Sequence, residues 1–408
     1  MGIDNLMIFF IFVITTYYVT MNTIGLLINI YGKRFQVKRN YHYQPTVSVI
    51  ISCFNEGQSI YNTIKSMRLS DYPVEKLTIY AFDDCSHDDS FYWIEKGARD
   101  FPNVIAKRNQ INQGKAHSVL SAAAISDGEV IVSVDSDCIF EPNAIKELIS
   151  CFAEPKIGAV GGRVGISNSN VNWLTRFQTL TYAVSFLLVK SCENVFRKIQ
   201  CLSGPLVAIR RECFNEIKDE IAARSFLGVK ITNGEDRALT QMLLMKGYDT
   251  YLNNDALCYT NVPVTLAQYA KQQLRWRRSA IGQFFQLVHR LPQMVFNNGL
   301  LSSIFSFFPI FVLLIWNLVI ISAWLSGNIL HAMLAIVLCH FTIGPCIVLI
   351  FYYYASHSNY HDLKAISLFD LLISRLLGAF WYPVSSIVIT LFALCTLDDG
   401  GWVTREVS

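Results

Sequence analysis

Short apolar runs recur through the middle of the chain, each closed by polar residues. From Val47 they read "VSVIIS", "LTIYAF", "VIVSVDSD" and "IGAVGG". Between them, at Ile60 to Met67 and Ala116 to Ile125, the apolar positions take a helical spacing. Short apolar runs bounded by polar loops predict buried strands, and the intervening period predicts helices. Strand and helix in alternation predict an α/β domain with a largely parallel, buried sheet. Ligands of such sheets gather where strands end at their carboxyl edge, so the polar residues that follow each run carry the chemistry.

Towards both ends the pattern changes. Met7 to Ile30 holds no charged residue, and a bilayer needs roughly 20 apolar residues to span it. No small-residue cleavage site follows, which predicts a retained anchor. Asp4 precedes this stretch and Lys33, Arg34, Lys38 and Arg39 follow it. The positive-inside rule then puts the amino terminus outside and the rest in the cytosol, at the plasma membrane. Residues 300–325 and 329–354 predict two more spans, joined by a turn at Gly327 and Asn328. The stretch 366–397 is interrupted by Asp370, Arg375 and Pro383, and predicts an interfacial or re-entrant helix bent near Pro383. The expected organisation is an anchor at 1–32, a cytosolic domain at 33–264, interfacial helices at 265–298, two spans at 299–354, the interfacial segment at 355–397 and a tail at 398–408.

Composition sharpens this only in part. At 52% hydrophobic and 16% charged residues, the chain is too apolar for a purely soluble enzyme and too charged for an all-membrane bundle. A net charge of +3 is too small to imply wholesale nucleic-acid binding, so no nucleic-acid partner is expected. The 11 cysteines form no CxxC pair and read as reduced thiols, with neither a disulfide framework nor a zinc site.

Three acidic pairs stand out: Asp83-Asp84 after "IYAF", Asp135 and Asp137 after "VIVSV", and Glu235-Asp236 after "FLGVKITNG". A single pair commonly caps a helix or meets solvent. Three in one domain point to a cation or a proton-transfer task that offsets their repulsion and lost hydration. Oxygen donors with few sulfur or imidazole partners suit Mg²⁺ or Mn²⁺, which complete their shell with substrate phosphates. A nucleotide-bearing substrate follows from that.

"VSVIISCFNE", "FDDCS", "NQGKAHS", "VDSD", "LSGPL", "GEDR", "QQLRW" and "WVTR", in this order, resemble the processive membrane glycosyltransferases of family two. The subgroup they are most similar to holds the hyaluronan synthases and the rhizobial chitin-oligosaccharide synthases. The resemblance implies a nucleotide-sugar-binding α/β domain of the GT-A type with transmembrane and interfacial helices. It implies that Asp83 and Asp84, with Ser52, Asn55 and Glu56, receive uracil and ribose, and that Lys115 lines the pocket wall. Asp137 would hold the metal, with Asp135 on the same face of the strand, bonded to ribose or supporting the metal site. Asp236 would be the general base, with Glu235 as its rival. Arg275 would bind the diphosphate. Trp276 would floor the acceptor sugar, with Gln272 and Gln273 on phosphate or sugar hydroxyls. Cys201, Ser203, Gly204 and Pro205 would line the acceptor passage. Trp402, Thr404 and Arg405 look like a tail that closes over the donor.

The implied activity is inverting transfer from UDP-GlcNAc, alone or alternating with UDP-glucuronate, onto a growing polysaccharide that passes through the lipid bilayer. Two departures are visible: Cys85 stands where the family has glycine in "DDGS", and Val403 where it has glycine in "WGTR". A transferase adding one sugar to a lipid carrier, and a non-catalytic nucleotide-sensing membrane protein, remain open alternatives.

Overall fold

The computed structural model describes residues 36–226, 229–230, 234–288, 290–330 and 361–397, with 23–28 and a few single positions besides. Most of the expected anchor and of the span 329–354, and the tail 398–408, lie outside the described residues.

Ten strands are described in chain order. They are β1 (Val47–Cys53), β2 (Leu77–Asp83), β3 (Val104–Arg108), β4 (Val130–Asp135), β5 (Ile139–Phe140), β6 (Ile157–Ile166), β7 (Leu206–Arg210), β8 (Ser225–Phe226), β9 (Val229–Lys230) and β10 (Asp249–Thr260). Eight form one sheet in the order β3-β2-β1-β4-β7-β6-β10-β5, and β8 and β9 make a separate ribbon. All residues of β1 and of β6 are buried, as continuous apolar runs demand of strands covered on both faces. The four apolar runs thus fold as strands, and the two helical spacings fold as helices Ser59–Arg68 and Lys115–Ile125.

The sheet is mixed, which corrects the expectation of a largely parallel one. Strands β3, β2, β1 and β4 are parallel to one another, as are β6 and β10. Strand β7 lies antiparallel to both β4 and β6, and β5 antiparallel to β10. The reason lies between β6 and β7. After helices Trp173–Val184 and Lys190–Val195 the chain does not enter β7 directly. It first makes another pass in which Lys198 bridges Thr250 of β10 in parallel. Cys201 to Pro205 then lead into β7, which runs the other way.

The carboxyl-terminal helix Leu368–Cys395 lies against two helices of the preceding part. Arg176 pairs with Asp370 at 3.0 Å. Arg277 donates to Thr390 at 3.0 Å, and Arg278 to Thr396 at 2.9 Å. A Cβ at Gly378 would lie 2.3 Å from the Phe177 ring, so only glycine permits this approach. The helix continues through Pro383. A proline removes one helical hydrogen bond, and the contacts to Arg176, Arg277 and Arg278 flank the turns on either side of it. Ahead of this helix, the Arg163–Asp362 ion pair, 1% and 3% exposed, ties β6 to the turn His361–Lys364. Among the described residues, no helix is long and apolar enough to cross a membrane.

Candidate active site

Strands β1, β2 and β4 are parallel and in register, so Cys53, Asp83 and Asp135 finish at one edge. Asp83 and Asp84 are both fully buried. Asp83 accepts from the Ser86 backbone N–H at 3.2 Å and pairs with Arg108 Nε at 3.0 Å. Burial raises its pKa above the usual aspartate range, with Ser86 and Arg108 opposing. Asp84 accepts from Asn109 Nδ2 at 2.8 Å, Gln113 N at 3.1 Å and Gly114 N at 2.7 Å. The pair therefore shapes the pocket wall by holding the loops at 86 and 109–114. Asn55 is engaged similarly: its Oδ1 accepts from His87 N at 2.9 Å, and its N–H donates to Ser86 Oγ at 2.9 Å. Ser52 differs, because its buried hydroxyl has no hydrogen-bond partner among the described residues. Glu56 begins the turn between, its N–H donating to Ser90 Oγ at 2.8 Å. Cys85 takes φ = 65°, a left-handed conformation that glycine adopts without a Cβ clash.

Asp135 ends β4 and Asp137 sits in the turn that follows. Their approach comes from that turn, and the same-face geometry of a strand does not supply it. Both are half-buried, and their carboxylate oxygens lie within 4.8 Å of each other and of Cys138 Sγ. Thr260 donates to Asp137 at 3.3 Å. Two half-exposed carboxylates form a hard oxygen donor set that fits Mg²⁺ or Mn²⁺. The fully buried Cys138 thiol is a soft donor and does not suit such an ion.

Lys115 links this edge to the third acidic pair. It is ion-paired to Asp135 and to Glu235 Oε1 at 3.1 Å. Burial alone would lower its pKa, but the charges of Asp135, Glu235 and Asp236 outweigh burial and hold it above the ordinary lysine value. Glu235 and Asp236 open the helix Glu235–Met245, where unpaired N–H groups favour anions. This placement at a helix start differs from the strand end expected by analogy with the other pairs. Gly234 precedes them with φ = 62°, and a Cβ there would lie 1.8 Å from Ser279 Oγ. Glycine is thus required for the loop to dock on the helix Leu266–Val288 that carries Arg275 and Trp276.

The two neighbouring carboxyls are driven apart. For Glu235, burial favours the neutral acid, but Lys115 outweighs it and the pKa falls. For Asp236, burial and then the charge of Glu235 raise the pKa, with Lys115 opposing. Pairs separated in this way divide acid–base roles, and the raised member suits proton uptake. Asp236 accepts from Gly204 N at 3.2 Å and from the Arg237 backbone N–H at 2.7 Å. A Cβ at Gly204 would stand 2.9 Å from Lys115 Nζ and 3.7 Å from Asp236. The "SGP" turn, the GK lysine and the acidic pair therefore meet at one point.

Beyond Gly204, residues Cys201, Ser203 and Pro205 are half-exposed while Leu202, Gly204 and Leu206 are buried. Burial raises the Cys201 thiol to about 11. Trp276 is 42% exposed, so a ring face is available, and it lies 6.3 Å from the Tyr182 ring. Gln272 and Gln273 are half-buried, and Gln272 Oε1 is buried without a hydrogen-bond donor among the described residues. Burial, then Asp137 and Asp135, push the Tyr182 phenol up while Arg275 opposes, which sets Tyr182 among the groups of the acidic edge and the arginine. Sequence reading missed Tyr182, Thr260 and Lys190, since nothing near them in the chain marks their role. Trp402, Thr404 and Arg405 lie outside the described residues.

A mixed α/β sheet with a carboxylate pair at one strand end, a raised aspartate opposite and an exposed indole beside it has the architecture of a GT-A-type glycosyltransferase. The same fold appears in a mannosyltransferase of Pyrobaculum calidifontis solved with GDP-Man and Mn²⁺ (TM-score 0.55, 17% identity, 96% of this chain and 97% of that one). Residues 45–279 match the family described as glycosyltransferase like family 2. A hyaluronan synthase of Streptococcus pyogenes serotype M3 is 30% identical over 374 residues, 90% of this chain and 85% of the relative. An N-acetylglucosaminyltransferase of Bradyrhizobium diazoefficiens is 28% identical over 380 residues, 89% of this chain and 72% of the relative. The chain belongs to glycosyltransferase family 2, and it is an enzyme of that class.

Proposed function

We propose that this enzyme is a membrane-embedded, inverting, processive β-glycosyltransferase that builds an N-acetylglucosamine-containing polysaccharide from UDP-sugars. The observation that carries this reading is the meeting of Asp236, Gly204 and Lys115 beside Asp135, with the exposed Trp276 ring on the neighbouring helix. In support of this reading, Asp236 would be the proton acceptor, the acidic edge at Asp135 the donor side and the Trp276 ring the acceptor surface. The names of the two curated relatives support N-acetylglucosamine as the unit transferred.

In this reading, uracil and ribose lie over Ser52 and the wall built by Asn55, Glu56, Asp83 and Asp84. The Ser52 hydroxyl, without a hydrogen-bond partner among the described residues, is the group of this wall left to bond a ligand. Asp137, with Asp135 beside it, would hold Mg²⁺ or Mn²⁺, which when bound would supply Lewis-acid stabilisation of the departing diphosphate. Arg275 contributes a guanidinium fork suited to paired phosphate oxygens, and Thr404 and Arg405 of the tail are assigned there from the sequence. The acceptor lies on Trp276, with Gln272, Gln273 and Trp402 around it and Cys201, Ser203, Gly204 and Pro205 along its path. Asp236 takes the proton of the acceptor hydroxyl as that oxygen attacks C1 opposite the leaving UDP. Lys115 keeps Glu235 ionised and so leaves proton uptake to Asp236.

The bilayer belongs to the same proposal. Met7 to Ile30 and Leu300 to Leu325 contain no Asp, Glu, Lys or Arg over their full sequence. The helix Leu368–Cys395 then lies along the cytosolic interface, which keeps Arg405 on the donor side.

The test uses purified full-length protein with UDP-GlcNAc, with and without UDP-glucuronate. The expected result is UDP release together with a polymer degraded by a chitin- or hyaluronan-specific hydrolase. Recovery of a single sugar on a lipid carrier would replace the processive reading, and absence of UDP release from either donor would overturn the proposal.

A further inference from the structure

Three lysines of the domain are buried, and two of them have carboxylates at hand. Lys115 pairs with Asp135 and Glu235, and Lys198 with Asp249 at 2.9 Å. Lys190 is 7% exposed, and among the described residues it makes no ion pair. Its Nζ donates to Ser203 Oγ at 2.7 Å and lies 4.1 Å from the centre of the Phe186 ring. Burial lowers its pKa, with Cys201, Glu193 and Asp236 opposing, so the site disfavours the charge it holds. Burying an ammonium without a direct ion pair costs free energy, which the more distant charges of Glu193 and Asp236 offset only in part. An ammonium has three donors, and the protein contacts described for it engage one in a hydrogen bond.

The chain goes to some length to put Lys190 there. Between helices Trp173–Val184 and Lys190–Val195 lies a five-residue π-turn, Ser185–Val189. In an uninterrupted α-helix, position i+8 falls about 80° round from i. One inserted residue returns it to the direction of i+7, about 20° away. The π-turn therefore brings Lys190 onto the face of Tyr182, with Phe186 between them. Tyr182 and Phe186 stack at 6.3 Å and 30°, and Tyr182 meets Trp276 at 6.3 Å. The line thus runs from the exposed indole through two rings to an ammonium, then to Ser203. One residue further on, the Gly204 N–H donates to Asp236.

We propose that Lys190 is an acceptor-binding residue. Its ammonium donates to a neutral oxygen of the terminal acceptor sugar, a hydroxyl or the N-acetyl carbonyl, and with Ser203 it fixes that sugar so that the attacking hydroxyl faces Asp236. This rests on the N-acetylglucosamine reading above and adds to it the group that orients the acceptor.

The experiment measures transfer from UDP-GlcNAc to added chitobiose by the full-length enzyme, with UDP-GlcNAc affinity and melting temperature read in parallel. Wild-type activity is read first: no transfer to chitobiose or to polymer overturns the N-acetylglucosamine reading, and this inference with it. With wild-type transfer present, Lys190→Met keeps the side-chain length and removes the charge. Its KM for chitobiose should rise about tenfold or more, as expected for a lost charged hydrogen bond. Its UDP-GlcNAc affinity should stay within about twofold, since a tenfold change would need about 1.4 kcal/mol of donor contact. Lys190→Arg should recover most of the acceptor affinity. An unchanged acceptor KM in Lys190→Met overturns the inference. So does a parallel loss of donor affinity, acceptor affinity and melting temperature that Lys190→Arg fails to rescue, because that pattern marks a scaffold residue.

Discussion

Asp83 and Asp84 close β2 much as Asp135 and Asp137 close β4, and as sequence the two pairs look interchangeable. Their surroundings differ throughout. The first pair is enclosed, and its oxygens are engaged by Ser86, Arg108, Asn109, Gln113 and Gly114. The second pair is half-exposed and faces Lys115, Thr260 and the acidic start of the helix Glu235–Met245. A carboxylate fully supplied with protein donors builds a loop, whereas one left partly open can meet a ligand, a metal or a proton. The difference lies in what the next ten to thirty residues do. After Asp84 the chain folds back as 109–114 and covers the carboxylate. After Asp137, β5 leads away and the edge stays open.

The largest expected effects separate the open carboxylates from the enclosed ones. Asp236→Asn should lower turnover by about 10²–10⁴-fold at nearly unchanged UDP-GlcNAc affinity, measured by UDP release and by equilibrium binding. Normal turnover in that variant would pass the role of base to Glu235. Chelation by EDTA should abolish turnover, and Asp137→Asn should weaken the response to added Mg²⁺ or Mn²⁺ without lowering the melting temperature. Full activity in excess chelator would remove the metal from the acidic edge.

The enclosed pair should answer in stability. Asp84→Ala removes a carboxylate from three N–H donors and should cost about 1–3 kcal/mol in chemical denaturation. Unchanged stability would mean that Asp84 is not what holds the 109–114 loop.

A pH profile sharpens the contrast within the third pair. The base must be ionised to act, so kcat falls as pH drops through the pKa of Asp236. Burial and Glu235 raise that pKa, so the acid limb should lie above that of an ordinary aspartate. Glu235→Gln removes the neighbouring negative charge and should move the limb to lower pH. A limb that stays in place would show that Asp236 does not control it.

The smallest effect concerns Cys85. A non-glycine residue at φ = 65° carries a cost of roughly 1–2 kcal/mol, partly offset by the greater freedom glycine has when unfolded. Cys85→Gly should therefore stabilise the protein by up to about 1 kcal/mol in a thermal or urea melt. Destabilisation would mean that the contact from Cys85 to Gln110 O outweighs the strain.

The sequence by itself determined the elements and the cast of residues. Val47 to Ser52 and Ile157 to Gly162 read as buried strands because they are short, mostly apolar and bounded by polar residues, too short for a core helix. The motifs named Lys115, Asp135, Gly204 and Asp236 as candidates, and the fold brings these four side by side.

The tertiary structure alone decided how those residues are used. It enclosed Asp84 through a loop some thirty residues away. It set β7 antiparallel to β4 and β6, and it turned Lys190 onto the Tyr182 face through a π-turn with no mark in the composition. Burial, and the charges that meet within it, are sums over segments distant in the chain. A carboxylate's partners, and therefore its proton affinity, exist only once those segments have met.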